Sequence, residues 1–220
     1  MNSISLSELF RLSNIDSIDP IPKDLYVTGV SESTDELKAG MVFVARKGKT
    51  YNGHRFLDVA ADKGACAAIV SREVAAVNGL PFVRVMDTAE ALGKLCSEFY
   101  GNPSKRIRLI GVTGTDGKTT TSNLIVNVLQ AAGKKVAIVG TIGTKINGET
   151  YPMKNTTPPA PLLQRLLAKA ACAGNDYVVV EVSSHAAQSP PRSRLVPRIS
   201  ILSIQPCRYC SHSVFIWSYQ

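Results

Sequence analysis

The chain has 220 residues, 45% hydrophobic and 19% charged, with a formal net charge of +8. These values describe a soluble globular protein of one large or two small domains, not a disordered or membrane one. No apolar run reaches the roughly 18–20 residues of a membrane-spanning helix, and the N-terminus MNSISLSELFRLSN lacks a basic stretch followed by a long apolar one, so a cytoplasmic protein with no membrane partner is expected. The charge excess suggests nucleic acid, but its distribution argues otherwise. Arg192, Arg194, Arg198 and Arg208 fall in the last 33 residues, which hold no acid, leaving 21 bases (25 less 4) against 17 acids elsewhere. No basic run is interleaved with aromatics, so no nucleic-acid partner is expected. The five cysteines, Cys66, Cys96, Cys172, Cys207 and Cys210, are odd in number and lack a disulfide spacing. The first three sit among Ala, Leu and Val and read as small buried hydrophobes.

A first unit spans residues 1–104. LSELFRL reads as a short amphipathic helix, MVFVA (41–45) as a strand, and HRFLDVAADKGA as a helix stopped by Gly64. CAAIVS and LPFVRV (80–85) read as strands. TAEALGKLCSEFYG (88–101) reads as a helix with Ala91, Leu95 and Phe99 near helical spacing, closed by Gly101. GNPSKR (101–106) is a linker, since Gly, Asn and Pro break the helix.

A second unit spans 105–187. It opens with IRLIGVT (107–113), an apolar run suited to a buried parallel strand. The next helix is expected to bury a face of Leu124, Ile125, Val128 and Leu129 and to end at Gly133. KVAIVGT (135–141), the helix PAPLLQRLLAKAACAG (159–174) and DYVVVEV (176–182) complete a strand–helix–strand–helix–strand pattern. The fold class is therefore α/β: a small N-terminal α/β domain, then a doubly wound parallel sheet whose ligands bind at the carboxyl ends of the strands.

Residues 188–220 stand apart. They contain no Gly, Ala, Asp, Glu, Lys, Thr or Asn, and seven Ser with four Pro. An out-of-frame translation produces such a shift, and the segment is read as an aberrant tail. The third strand of the second unit would then lack later neighbours and present an open edge.

The chemistry centres on GVTGTDGKTTTSN, Gly111 to Asn123. A strand, a Gly-rich turn with Lys-Thr and a helix form a phosphate cradle, in which backbone N–H groups and the helix N-terminus face an anion. Lys118 would reach the β- and γ-phosphates and the Thr119 hydroxyl would ligate Mg²⁺. The strict P-loop spacing requires Gly at 112, where this chain has Val112.

The loop GTDGKTT (114–120) is the variant seen in Mur ligases and folylpolyglutamate synthases. YPMKNTTPPAPLLQRLLAKAACAGNDYVVVEVSSHA resembles the stretch after the ATP loop in the UDP-N-acetylmuramoyl-tripeptide synthetases of the Mur ligase family. LKAGMVFVARKGKTYNGHRFLDVAADKGACAAIV is similar to that group's uridine-nucleotide domain. The specific marks are Thr156-Thr157 before Pro158, and EVSSHA at 181–186. The resemblance covers about residues 25–187. It implies an ATP-dependent acid–amino-acid ligase of peptidoglycan precursor synthesis. Such an enzyme adds meso-diaminopimelate or lysine to UDP-N-acetylmuramoyl-L-alanyl-D-glutamate, by way of an acyl phosphate on the D-glutamate γ-carboxylate.

By the same resemblance, Gly114, Thr115, Asp116, Gly117, Lys118, Thr119 and Thr120 bind ATP. Glu181 joins Thr119 at Mg²⁺, Lys118 and Glu181 serve catalysis, and Thr156, Thr157, Ser183 and Ser184 contact the UDP-sugar-peptide through hydroxyls. His185 is left out of the catalytic set, and His54 is expected to brace a loop of the first unit. Two departures stand out. Ser33-Thr34-Asp35 replaces the family's Asp-Ser-Arg. Past EVSSHA, neither the lysine whose carbamate helps hold Mg²⁺ nor the C-terminal amino-acid-binding domain is recognisable, so this polypeptide alone is not expected to catalyse ligation. The alternatives are a non-catalytic ATP- or UDP-substrate-binding fragment, a folylpolyglutamate-synthase-like ligase, or a P-loop kinase; NTTP, EVSSHA and the N-terminal unit argue against the last two. Cys207, Cys210 and His212 in CRYCSH supply too few ligands for zinc.

Overall fold

The computed structural model describes residues 3–48, 52–153 and 155–183, together with the strand backbones at 199–205 and 213–218. The chain divides into two compact units, Met1–Gly101 and Asn102–Gln220.

The first unit begins with β1 (Ile4–Ser5) and α1 (Leu6–Ser13), whose N-cap Ser5 accepts from the Glu8 amide. β2 (Tyr26–Val27) pairs antiparallel with β1. β3 (Gly29–Ser31) and β4 (Met41–Val44) follow. A 3₁₀ turn at Gly53–Phe56 runs into α2 (Leu57–Asp62), and β5 (Ala67–Val70), β6 (Phe82–Arg84) and α3 (Thr88–Phe99) complete the unit. β3-β4-β5-β6 form a four-stranded parallel sheet. Phe43, Ala45, Ala68 and Val70 pack with Leu57 and Ala60 of α2. α3 packs against β3 and α1. The segment before β2 is tied down by Asp19, whose carboxylate takes both Arg84 Nη2 (2.6 Å) and Nε (2.7 Å). The two short pairing strands and β3 carry no alternating apolar pattern, and sequence reading passes over them. Of the cysteines read as buried, only Cys96 is; Cys66 is half-buried and Cys172 is exposed, because Cys172 is the last residue of its helix and faces away from the sheet.

The second unit contains β7 (Arg108–Gly114), α4 (Lys118–Ala131), β8 (Val136–Gly140), β9 (Gly143–Ile146), β10 (Glu149–Tyr151), α5 (Ala160–Cys172), β11 (Tyr177–Glu181), β12 (Ile199–Gln205) and β13 (Ser213–Ser218). The sheet order is β10-β9-β8-β11-β7-β12-β13. β7, β8, β11 and β12 are parallel; the β9–β10 hairpin and β13 are antiparallel additions. The hairpin turns on Asn147 (φ 48°) and Gly148 (φ 85°), the left-handed pair that an Asn-Gly two-residue turn requires.

Alternation along the strands serves two faces. Leu109, Ala137, Val139, Val178 and Val180 meet Leu163, Leu166, Leu167 and Ala170 of α5. Val112, Ile138 and Val179 meet Val126 of α4.

Two expectations are corrected. α4 does not bury Leu124 and Val128, which are 59% and 67% exposed; Ser122 and Val126 face the sheet, with Ile125 and Leu129 half-buried. The phase is set at the first turn. Thr119 points to β11, and at 100° per residue Ser122 and Val126 lie on that side while Leu124 and Val128 lie opposite. Nor does β11 lack neighbours. It is central, between β8 and β7, because the chain skips a position on going from β7 to β8 and returns to fill it. The open flank of β7 is covered by β12, in register from Ile199↔Leu109 to Ile204↔Gly114.

Candidate functional site

β7 ends at Gly114 and α4 starts at Lys118, so residues 114–117 form a turn at the carboxyl end of a central strand, where the order of strands reverses. Gly117 is the helix N-cap at φ +74°, a conformation L-residues rarely adopt. Thr115, Asp116, Gly117 and Thr120 are exposed; Gly114, Lys118 and Thr119 are half-buried. Lys118 folds back over its own turn, donating from Nζ to Gly114 O (2.7 Å) and Thr115 O (2.9 Å).

The neighbouring strand end brings in the carboxylate. Glu181, the last residue of β11, is 1% exposed. Its Oε2 accepts from Thr119 Oγ1 (3.1 Å) and from Thr141 Oγ1 (2.8 Å), while Oε1 has no partner among the described residues. Gly140, at the end of β8, makes room for it: a Cβ there would stand 2.4 Å from Oε1.

The third wall is the segment before α5. Thr156 Oγ1 lies 3.1 Å from Thr141 Oγ1. Since each hydroxyl carries one proton, Thr141 donates to the carboxylate and Thr156 donates to Thr141. Thr157 Oγ1 donates to the Glu181 carbonyl (3.0 Å) and accepts from the Ser183 amide (2.9 Å). Thr119, Glu181, Thr156, Thr157 and Ser183, spread over 65 residues of sequence (119–183), are thus one bonded cluster beside the turn. Ser184, His185, Cys207, Cys210 and His212 lie outside the described residues.

Thr141 and Gly140 were not singled out by sequence. Their signal is their place at the end of a predicted strand, the position where ligands collect in such sheets.

In the first unit, His54 is buried and braces two loops: Nδ1 faces Asn52 Oδ1 (3.1 Å) and Nε2 accepts from the Ser71 amide (3.2 Å). Burial first, then Arg72 and Lys47, push its pKa below the usual histidine value. The Ser33-Thr34-Asp35 stretch is occupied with its own turn. Ser31 Oγ bonds Ser33 O (2.8 Å), the Asp35 amide donates to Ser33 Oγ (3.2 Å), and Thr34 O accepts from Lys63 Nζ (2.6 Å).

Comparison with known proteins agrees with this arrangement. Residues 27–100 match the Mur ligase family, catalytic domain, and residues 112–204 match the Mur ligase middle domain. The second match therefore extends through most of β12. The chain is 43% identical over 164 residues to the UDP-N-acetylmuramoyl-L-alanyl-D-glutamate–2,6-diaminopimelate ligase of Bacillus licheniformis, covering 74% of this chain and 33% of that protein. It is 46% identical over 147 residues to the ligase of the same name from Geobacillus thermodenitrificans, covering 67% of this chain and 30% of that protein. A solved structure of such a ligase superposes with a TM-score of 0.70 at 27% identity, over 88% of this chain and 38% of that one. The chain spans about a third of the length of the curated relatives it matches. With both units matched and the loop, the buried strand-end carboxylate and the hydroxyl cluster in one place, the chain belongs to the Mur ligase family.

Proposed function

We propose that this chain is the nucleotide- and UDP-substrate-binding part of an ATP-dependent ligase that adds diaminopimelate or lysine to UDP-N-acetylmuramoyl-L-alanyl-D-glutamate in the cytoplasm, and that by itself it binds without turnover. The observation that carries the reading is the pairing of a phosphate-type loop with a buried carboxylate that has one oxygen to spare. A buried polar atom without a partner calls for an explanation, and hard oxygen donors from a carboxylate and a hydroxyl suit Mg²⁺. Thr119 gives its proton to Glu181 and keeps its lone pairs for a cation.

In this reading the backbone amides of 114–118 hold the ATP phosphates, and Lys118 exchanges its two loop carbonyls for phosphate oxygens. Glu181 and Thr119 hold Mg²⁺. Thr156, Thr157 and Ser183 line the side of the site from which the UDP-substrate's carboxylate approaches, and Ser184 is assigned with them from the family motif. MgATP supplies the phosphoryl group that activates that carboxylate; this chain's residues position the two reactants and stabilise charge on the transferred group. No protein nucleophile takes part.

Titration calorimetry with ADP, with and without Mg²⁺, tests the reading. The wild-type chain binds MgADP, Lys118→Met weakens it at least tenfold, and Glu181→Gln removes the Mg²⁺ dependence. Equal affinity in all three chains rejects it. A ligation assay with the purified chain gives no tripeptide product; product formation rejects the second half of the proposal. Composition supports the proposal that 188–220 is out of frame, whereas the middle-domain match continues to residue 204; translating the coding DNA in the other two frames after codon 186 decides between them. The expected result is a continuation with an Asn-rich loop, Asp-His and a third domain.

A further inference from the structure

The opposite ends of the same strands carry a second feature that the ligase reading does not use. At the amino ends of β7 and β11 lies a cleft of about 390 Å³ bordered by Lys105, Arg106, Arg108, Lys134, Asn175 and Tyr177. Arg108 and Tyr177 are register partners, and β7 runs six residues from there to the loop, roughly 20 Å at about 3.3 Å per residue.

The cleft is cationic. None of its four basic side chains forms an ion pair with a carboxylate among the described residues. One acid, Asp176, also lines the cleft, with its Oδ2 engaged by the Lys135 amide at 2.9 Å. α4 and α5 both end here, and each helix C-terminus carries about half a negative charge. These ends are closed by their own backbone, through Lys134 N→Leu129 O (3.0 Å) and Asn175 N→Ala170 O (3.1 Å). Counting the two ends and Asp176 against the four cations leaves an excess of about +2.

The cleft is also built. The Arg108 guanidinium is held in place by Tyr177, with Nη1 2.7 Å from the phenol oxygen and Cζ 5.5 Å from the ring centroid. A fixed guanidinium is the group best shaped for a phosphate. Asn175 is only 5% exposed; its Nδ2 donates to Ala170 O (3.0 Å), and its Oδ1 has no partner among the described residues.

We infer that this cleft is a second anion site, specific for a diphosphate group. The group is either free inorganic diphosphate or the diphosphate of a nucleotide. The site is independent of the loop at 114–118.

The test separates the two sites. In a Lys118→Met chain, with divalent ions chelated and physiological salt, calorimetry with inorganic diphosphate gives one equivalent bound. Adding Arg106→Glu and Lys134→Glu weakens that binding at least tenfold. The same double reversal in the wild-type background keeps the circular dichroism spectrum and changes MgADP affinity less than twofold. If the reversed chain does not fold, Arg106→Gln with Lys134→Gln takes its place, with an expected weakening of at least fivefold. Competition by ADP in the Lys118→Met chain assigns the source to a nucleotide; failure of ADP to compete assigns it to the free anion. The inference is overturned if the Lys118→Met chain binds no diphosphate, if neither charge change weakens binding, or if sulfate at equal ionic strength competes as well as diphosphate does. Loss of MgADP binding by Lys118→Met bears on the ligase reading alone.

Discussion

Gly140 and Glu181 are packed so closely that a methyl group on the glycine would stand 2.4 Å from Glu181 Oε1 and 2.6 Å from its Cδ. The absence of a side chain on β8 is what lets a carboxylate sit almost fully buried at the end of β11. Gly140→Ala therefore displaces Glu181. Overpacking of this kind costs about 1–3 kcal/mol, and the Mg²⁺ dependence of ADP binding is lost. Calorimetry beside a thermal melt checks this; an unchanged Mg²⁺ dependence would show that Glu181 is not the cation's carboxylate.

Thr141 joins the carboxylate to the segment before α5, at 2.8 Å from Glu181 Oε2 and 3.1 Å from Thr156 Oγ1. Thr141→Val keeps the shape and removes both bonds, leaving a buried carboxylate oxygen with one donor fewer, at about 1–3 kcal/mol. Thr141→Ser restores the hydroxyl. The expected pattern is weakened MgADP binding in the valine variant and near wild-type binding in the serine variant. If both variants behave alike, packing rather than the hydroxyl is what matters at 141.

His54 gives the first unit a pH dependence. Its folded pKa lies below the usual 6.5, chiefly because of burial, and its Nε2 accepts a backbone N–H. Between the lowered folded pKa and the unfolded value the unfolded chain binds more protons, so stability rises with pH. The contribution is complete above about pH 7 and is lost as pH falls through the unfolded pKa of about 6.5 toward the folded one. Melting temperatures measured at pH 7.5 and 5.5 are expected to fall more for the wild type than for His54→Gln. Parallel falls would exclude His54 as the source. Asp19, held low by its bond to Arg84, begins to lose its contribution only as pH falls through the unfolded carboxylate value of about 4, below the point where the His54 loss begins.

The phase of α4 is open to a direct check. Val126 is buried and Leu124 is 59% exposed. Val126→Ala leaves a cavity and costs about 1–3 kcal/mol, whereas Leu124→Lys stays within about 0.5 kcal/mol. Denaturant titration of both variants decides; the reverse order would restore the face expected from apolar spacing alone.

That helix also shows where sequence reading reaches its limit. Apolar spacing picked out Leu124, Ile125, Val128 and Leu129, yet the helix turns Ser122 and Val126 to the sheet because Thr119, in its first turn, bonds Glu181. A long-range contact fixes the rotation, and no local pattern carries that information. The hairpin at Asn147-Gly148 is the opposite case: the left-handed turn pair was readable, and the strands beside it were too short and polar to be noticed.

The sequence by itself determined the two-unit α/β organisation and the phosphate-type loop at the end of a buried strand, because apolar periodicity, Gly and Pro breaks and a Gly-Lys-Thr turn are local signals; the resemblance of GTDGKTT, NTTP and EVSSHA pointed to the family. Only the tertiary structure decided that Glu181 is buried with an oxygen unpartnered among the described residues, that Gly140 and Thr141 make its place, that β11 lies between β8 and β7, and that four cations meet at the far ends of the strands. Each of these depends on which strands become neighbours. Strand order is set by crossover connections and packing across the whole sheet, not by the residues next to each other in the chain.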